Sequence, residues 1–389
     1  MAILGRLFKA NIRQYGMIIA LVMIMLLFQI LTGGILMQPL NITNLILQNS
    51  YILVLAIGMV LVIITGHIDL SVGSVAAVIG ATAAILMVHM QVPVWLTILI
   101  SLLLGALIGA WQGFWIAYVG IPSFIVTLAG MLLFRGLTMV ILKGQSIASL
   151  PNAFLGISSG FIPDWLSGYA TGIHLTTMAI GLLLSAVLIW NELRLRRTRQ
   201  QYRMETAPAA WFILKLVFLV LVLNGFLWIL ARYEGIPNLL IILTVLIAAY
   251  TFITQRTVIG RHIYATGGNS KAAALSGVKT KRVTFYVFVN MGVLSALAGL
   301  IFASRLSAAT PKAGTLFELD AIAACFIGGA SATGGVGTVI GAIIGGLVMG
   351  VMNNGMSLIG VSIDWQQAIK GLVLLLAVAF DFYIKNRSQ

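Results

Sequence analysis

The side chains in this sequence that could do chemistry are few, and their spacing does not suit catalysis. His67, His89, His174 and His262 show no paired metal spacing, and His67 beside Asp69 is too little to hold a metal. There is no G-x-x-x-x-G-K-[ST] phosphate loop, no G-x-S-x-G elbow and no H-E-x-x-H pair. The single cysteine, Cys325, excludes an internal disulfide. Asp69, Glu318, Asp320, Asp364 and Asp381 all fall near the ends of predicted apolar spans, so none is expected at mid-membrane as a proton relay. Arg135 is the deepest basic group by these boundaries. Unpaired, it would cost roughly 2.5 to 3.5 kcal/mol on insertion scales, so either it pairs, or it reaches a carbonyl, or the span boundary lies elsewhere. Neither a catalytic residue nor a metal ligand is expected, which leaves transport.

The polar groups that could line a solute path or its gate are Asp69, Ser71, Ser74, Asn290, Glu318, Asp320 and Asn353. Gly66 to Ser74 reads GHIDLSVGS between two apolar runs, and two readings stay open. Asp69 or Ser71 could simply cap the next helix. Alternatively, irregular backbone at membrane depth marks a cavity, because only there is it tolerated. Asn290, inside an apolar run, suits helix-to-helix bonding or a sugar hydroxyl. Asn353, Asn354 and Gly355 are expected to make a turn.

A second kind of site is a contact surface. Arg256 to Arg282, RTVIGRHIYATGGNSKAAALSGVKTKR, is too charged for lipid and stands between apolar blocks. Gly267 and Gly268 would allow a tight turn with the backbone close to a partner. Asn269 or Ser270 can cap a short helix that runs through Lys271 and ends at the left-handed Gly277. The small Ala272, Ala273 and Ala274 would let another surface approach. A solvated loop with an incidental helix is the plain alternative.

The elements that must position these groups follow from composition. Of 389 residues, 60% are hydrophobic and 8% charged, and the mean hydropathy is +1.08. So little polar surface cannot cover a soluble protein of this size, so the fold class is an all-α polytopic membrane protein. The net charge of +14 is explained by position. Most Lys and Arg residues cluster at the amino terminus (Arg6, Lys9, Arg13), at Arg194 to Arg203, at Arg256 to Arg282, and at Lys385 with Arg387. Such clustering is the positive-inside pattern, placing these segments and both termini in the cytoplasm and leaving no need for nucleic acid.

At about 20 apolar residues per crossing, the spans are 15–36, 49–65, 70–90, 94–119, 123–142, 173–191, 209–230, 236–254, 283–303, 318–330, 335–351 and 365–382, about twelve in all. The segment 318–351 could be two crossings or one re-entrant hairpin, and either keeps the carboxyl terminus on the same side. The third and tenth spans both follow an acidic residue and run on in Gly and Ala. They enter from opposite faces, so a ten-span core with an inverted repeat is possible, as in alternating-access transporters. The chain then divides into a first five-span block with its outer loop, 1–172, a hairpin with an Arg-rich turn, 173–235, and a second five-span block, 236–389, containing the basic loop 255–282.

Several ordered motifs together resemble the permease subunits of bacterial monosaccharide ABC importers of the ribose, xylose and galactose branch. They are GHIDLSVGS (Gly66 to Ser74), IPSFIVTLAGMLLFRG (Ile121 to Gly136), TVIGRHIYATGGNSKAAALSG (Thr257 to Gly277), ELDAIAACFIGGASATGGVGTVIGAIIGG (Glu318 to Gly346) and NNGMSLIGV (Asn353 to Val361). The extra hairpin makes the chain most similar to the longer xylose or multiple-sugar permeases. The resemblance implies a pair of permeases, most simply a homodimer, with cytoplasmic ABC ATPase subunits below and a periplasmic sugar-binding protein above. It also implies a bacterial inner-membrane location. ATP and magnesium would be bound in the partner ATPase, with no cofactor in this chain, and Asn269 to Gly277 would be the coupling helix. Contact with membrane lipid is expected, including at the Arg-rich turn. The alternatives are a nucleoside or branched-chain amino-acid ABC permease, or an ion-coupled secondary transporter, which the lack of a deep carboxylate disfavours.

Overall fold

The computed structural model describes residues 12–166, 172–204 and 208–388, with side chains described for 16–379 of these. Arg6 and Lys9 lie outside the described residues, as do the side chains of Arg13, Asp381, Lys385 and Arg387. Apolar chain without water must satisfy its own backbone, and among the described residues it does so almost entirely as helix. Nine helices there are long and apolar enough to cross a membrane.

In chain order the first elements are α1 (Ile12–Leu31), α2 (Pro39–Ile64), α3 (Val72–Ala84, running on as a wide turn Ile85–His89), α4 (Val94–Phe114, running on through Trp115–Val119), α5 (Ser123–Leu142), β1 (Ile147–Ala148) and α6 (Asn152–Ser159). A hairpin follows, α7 (Leu175–Gln201) and α8 (Ala209–Ala231). The remainder is α9 (Asn238–Arg256), α10 (Val258–Gly268), α11 (Ser270–Leu275), α12 (Thr280–Leu306), β2 (Ala308–Ala309), α13 (Phe317–Ile327), α14 (Val339–Leu358) and α15 (Ile363–Ser388). Proline stands immediately before α4, α5, α8 and α9, where its fixed φ suits a helix start and its missing N–H costs nothing.

Two of the basic clusters share one face. The start of α7, the end of α8 and the start of α9 are tied together at the other face: His174 N–H donates to the Ala231 carbonyl, and Asn238 N–H donates to the Gly160 carbonyl. The far ends of α7 and α9, with Arg194 to Arg203 and Arg256, therefore lie together on the basic face. On the opposite face β1 pairs antiparallel with β2, Ile147 with Ala309 and Ala148 with Ala308, joining the link after α5 to the link after α12.

Two crossings are discontinuous. Helix α2 stops at Ile64, residues 65–71 form an irregular link, and α3 begins inside the bundle. Its Ala76 backbone meets Gly299 of α12, and Gly80 lies beside Gly299 and Ala303, so α3 runs parallel to α12. The second unit enters from the opposite face. Helix α12 stops at Leu306, residues 307–316 form the link, and α13 begins with Phe317 wedged between Tyr51 of α2 and Phe302 of α12, at ring distances of 4.2 and 4.9 Å. It runs parallel to α2, the Cys325 thiol reaching the Ala56 carbonyl at 3.5 Å. This is the arrangement expected of an inverted repeat.

Close backbone approach holds the bundle together. A Cβ at Gly105, Gly109 or Gly292 would overlap backbone across the α4–α12 contact, and one at Gly341 or Gly345 would do so across α13–α14. Lipid supplies little hydrophobic drive between helices, so such small-residue contacts carry much of the packing.

Several sequence expectations are corrected. The tenth span is a half-helix: the 11 residues of α13 rise about 16 Å, against a core of about 30 Å. The link before it, turns throughout 311–316, supplies the rest of the crossing, so Glu318 and Asp320 are not at a membrane surface. The second span begins at Pro39 rather than Asn49, since its early asparagines bond within the bundle, Asn41 with Asn354 at 2.9 and 3.1 Å. Arg194, Arg196, Arg197 and Arg199 are helical within α7 and not in a turn. Asn353, Asn354 and Gly355 lie inside α14. Gly267 and Gly268 end α10 and make no tight turn.

Candidate functional site

The two discontinuous units meet where α3 and α13 begin. Gly73, on the first turn of α3, lies so close to the Gly314 carbonyl and the Glu318 carboxylate that any Cβ there would overlap both. Gly314 itself has φ +71°, a left-handed conformation glycine adopts freely. The link 65–71 is held on three sides. Asp69 Oδ1 accepts from the Ser71 N–H at 2.8 Å and the Ser71 hydroxyl at 2.7 Å. The same hydroxyl accepts from Gln112 Nε2 of α4 at 2.7 Å. On α5, the Ser123 hydroxyl accepts from the Ile68 N–H, and the Thr127 hydroxyl donates to the Ile68 carbonyl, both at 3.4 Å. Asp69 thus fixes the turn into α3 instead of capping the helix amides, and Ser71 makes no side-chain cap either.

The second link and the half-helix after it are each held by a cation. Arg135 of α5 donates to the Ala313 carbonyl at 2.5 Å and the Pro311 carbonyl at 3.5 Å, which resolves how a charge is tolerated so deep in an apolar helix. Lys370 of α15 pairs with Asp320 at 3.1 Å. Glu318 is buried, and its Oε2 has no hydrogen-bond partner; the Ser74 hydroxyl, fully buried on α3, has none either. The junction therefore combines tight glycine packing, buried carboxylates and two polar atoms with spare hydrogen-bonding capacity. Among the described residues no cluster of His, Cys, Asp or Glu could hold a metal.

Two of the path candidates lie elsewhere. Asn290 of α12 accepts from the Tyr250 hydroxyl of α9, its Nδ2 is unpartnered, and it lines a cavity between α9, α10 and α12. Asn353 sits on α14 beside the Asn354–Asn41 pair. The sequence reading missed Gln112, whose signal is a lone amide in an apolar run. It also missed Lys370, a lone charge in the last span, and the Gly73–Gly314 approach, which has no local signal.

The basic face carries the exposed segment around α11. The Thr257 hydroxyl caps α10 by accepting from the Gly260 N–H at 3.3 Å. Asn269 Oδ1 caps α11 by accepting from the Ala272 N–H at 3.0 Å, and Gly277 follows at φ +86°. Asn269, Ser270, Lys271, Ala272 and Ala274 are exposed, and Ala273 is buried against the bundle. Leu275 is 91% exposed, an apolar knob that the sequence reading passed over. Behind α11, Gly267 lies so close to the Ile64 carbonyl that no side chain fits. That carbonyl accepts from the Gly335 N–H at 2.8 Å, and the Tyr264 hydroxyl donates to the Gly337 carbonyl at 2.7 Å. Helix α10 thus grips the end of α2 and the loop after α13, so the surface is joined to both discontinuous units.

The family profile described as "Branched-chain amino acid transport system / permease component" matches residues 41–378, most of the chain. This chain belongs to that permease family. Within the family it is 42% identical over 378 residues to the xylose transport system permease protein XylH of Escherichia coli (strain K12), covering 97% of this chain and 94% of the relative. It is 41% identical to XylH of Haemophilus influenzae, covering 98% and 99%. It is 36% identical to the ribose import permease protein RbsC of Bacillus subtilis, covering 96% and 94%. No solved structure matches. The chain is a multi-pass membrane permease, a transport component and not an enzyme.

Proposed function

We propose that this permease is the membrane subunit of an ATP-driven importer of a monosaccharide, xylose or a close relative, in the bacterial inner membrane with the basic face and both termini in the cytoplasm. The observation that carries the reading is the grip of α10 on both discontinuous units behind an exposed, capped α11. A partner that moves this surface moves the junction. The partner is an ABC ATPase holding ATP and magnesium. It seats the α11 surface, Leu275 included, and its closure favours one arrangement of Gly73 against Gly314 over the other, since a driver acts only through differential affinity for the two states. Two copies of the chain form the path, and a periplasmic binding protein delivers the sugar above the α13 link. Xylose is favoured by the identity to both XylH proteins over the ribose relative and over the amino acids in the family description.

Buried Glu318, with an unpartnered oxygen, is the group an ion-driven transporter would need. Competition uptake in proteoliposomes containing permease, ATPase and binding protein separates these readings. Labelled xylose should enter only with internal ATP and be displaced by unlabelled xylose far better than by leucine. Uptake driven by an imposed proton gradient without the ATPase would favour the ion-coupled reading.

A further inference from the structure

On the basic face a cavity of about 560 Å³ opens between α9, α10 and α12. Ligand sites commonly run from about 300 to 1,000 Å³. Its floor is apolar, with Leu61 of α2, Ile263 of α10, and Val283 and Val287 of α12. Its rim is basic, with Lys279 and Arg282 both exposed at the start of α12. The exposed Ile259 and Tyr286 also line it, so apolar side chains continue from the floor to the surface. No Asp or Glu occurs between Glu234 and Glu318, and among the described residues neither Lys279 nor Arg282 has a carboxylate partner. Inside, the Asn290 Nδ2 is a donor without an acceptor.

An apolar trough ending in uncompensated cations, level with the end of the spans, matches one kind of molecule: an apolar chain carrying an anionic head. We propose that this cavity binds an anionic phospholipid of the leaflet on the basic face, its phosphate between Lys279 and Arg282 and an acyl chain along Leu61, Ile263, Val283 and Val287. Because Ile263 belongs to α10 and Gly277 at the end of the α11 segment also lines the cavity, the lipid would buttress the contact surface from behind. The binding step does not depend on the transport reading.

The test is native mass spectrometry of the full-length permease taken from nanodiscs of equal phosphatidylglycerol and phosphatidylcholine. Wild type should retain phosphatidylglycerol preferentially. With each cation near the surface contributing about a fivefold attraction, the Lys279→Gln/Arg282→Gln double variant should bind it roughly thirtyfold more weakly. Val283→Trp, which fills the trough and keeps the rim, should lose it as well. Arg256→Gln/Arg261→Gln, basic-face cations outside the cavity lining, should bind like wild type, separating this site from general surface attraction. Equal retention of the two lipids by wild type would overturn the proposal, as would undiminished phosphatidylglycerol binding in the first two variants. So would a photocrosslinker at position 283 that captures a second copy or the ATPase in place of lipid.

Discussion

At the scale of single residues, the junction depends on what is missing from Gly73. Gly73→Ala puts a methyl group into the Gly314 carbonyl and the Glu318 carboxylate. Overpacking of this kind costs about 1 to 3 kcal/mol. The variant should lose thermal stability and should transport at least tenfold more slowly than wild type at saturating sugar, because the two half-helices can no longer take their close arrangement. The Lys370–Asp320 pair gives a complementary test. Lys370→Met leaves Asp320 charged, buried and unpartnered, which costs about 3 to 5 kcal/mol, whereas Lys370→Met/Asp320→Leu removes both charges and should recover most of that. Chemical denaturation of the three proteins measures the difference. Little of this was legible beforehand. Glu318 and Asp320 were visible as acidic groups at the start of an apolar run, but their depth depended on a turn-rich link that hydropathy cannot distinguish from a surface loop. Arg135 was legible as a charge needing a partner unless the span boundary lay elsewhere, and it reaches two carbonyls, those of Ala313 and Pro311.

At the scale of elements, capping chemistry was readable where it is local and unreadable where it comes from a distance. Asn269 and Gly277 bounded α11 from sequence because the whole motif lies within nine positions. The start of α7 is different, since beside its local cap, His174 Nδ1 accepting from the Thr177 N–H at 3.3 Å, it draws on the loop before it: Asp164 accepts from the Leu175 N–H at 3.0 Å and from the N–H and hydroxyl of Thr176 at 3.0 and 2.8 Å. Desolvation pushes the Asp164 pKa up, but the bonds from Thr176, Leu166 and Leu175 outweigh it and hold the carboxyl at about 2. A carboxyl held below its ordinary value of about 3.9 stabilises the fold above that pH and loses the contribution as pH falls through about 2. Asp164→Asn should therefore lower the melting temperature at pH 7 and leave a smaller acid-side decline between pH 4 and pH 2 than wild type shows. Thermal scans across that range measure both. The hairpin α7–α8 was legible as two apolar runs flanking a basic stretch. It meets the bundle mainly through Leu227 and Leu230 against Ile42, Ile46 and Ile236, while most of its length is exposed.

At the scale of the whole molecule, the family, the all-helical class and the basic clusters were legible because each is repeated along the chain. The connection between surface and junction was not, because it consists of backbone contacts among Gly267, Ile64 and Gly335, residues far apart in sequence with no distinguishing side chains. That connection makes two neighbours on α11 behave differently. Ala273 is buried and Leu275 exposed, so Ala273→Asp should impair folding, while Leu275→Asp should leave the melting temperature unchanged and act only on the partner. The most direct measurement is sugar uptake and ATP hydrolysis followed together in proteoliposomes that contain the ATPase and binding protein, for wild type and Leu275→Asp. The account predicts that the variant folds normally and loses at least tenfold in uptake per ATP hydrolysed or fails to retain the ATPase. Wild-type uptake and coupling in Leu275→Asp would contradict it.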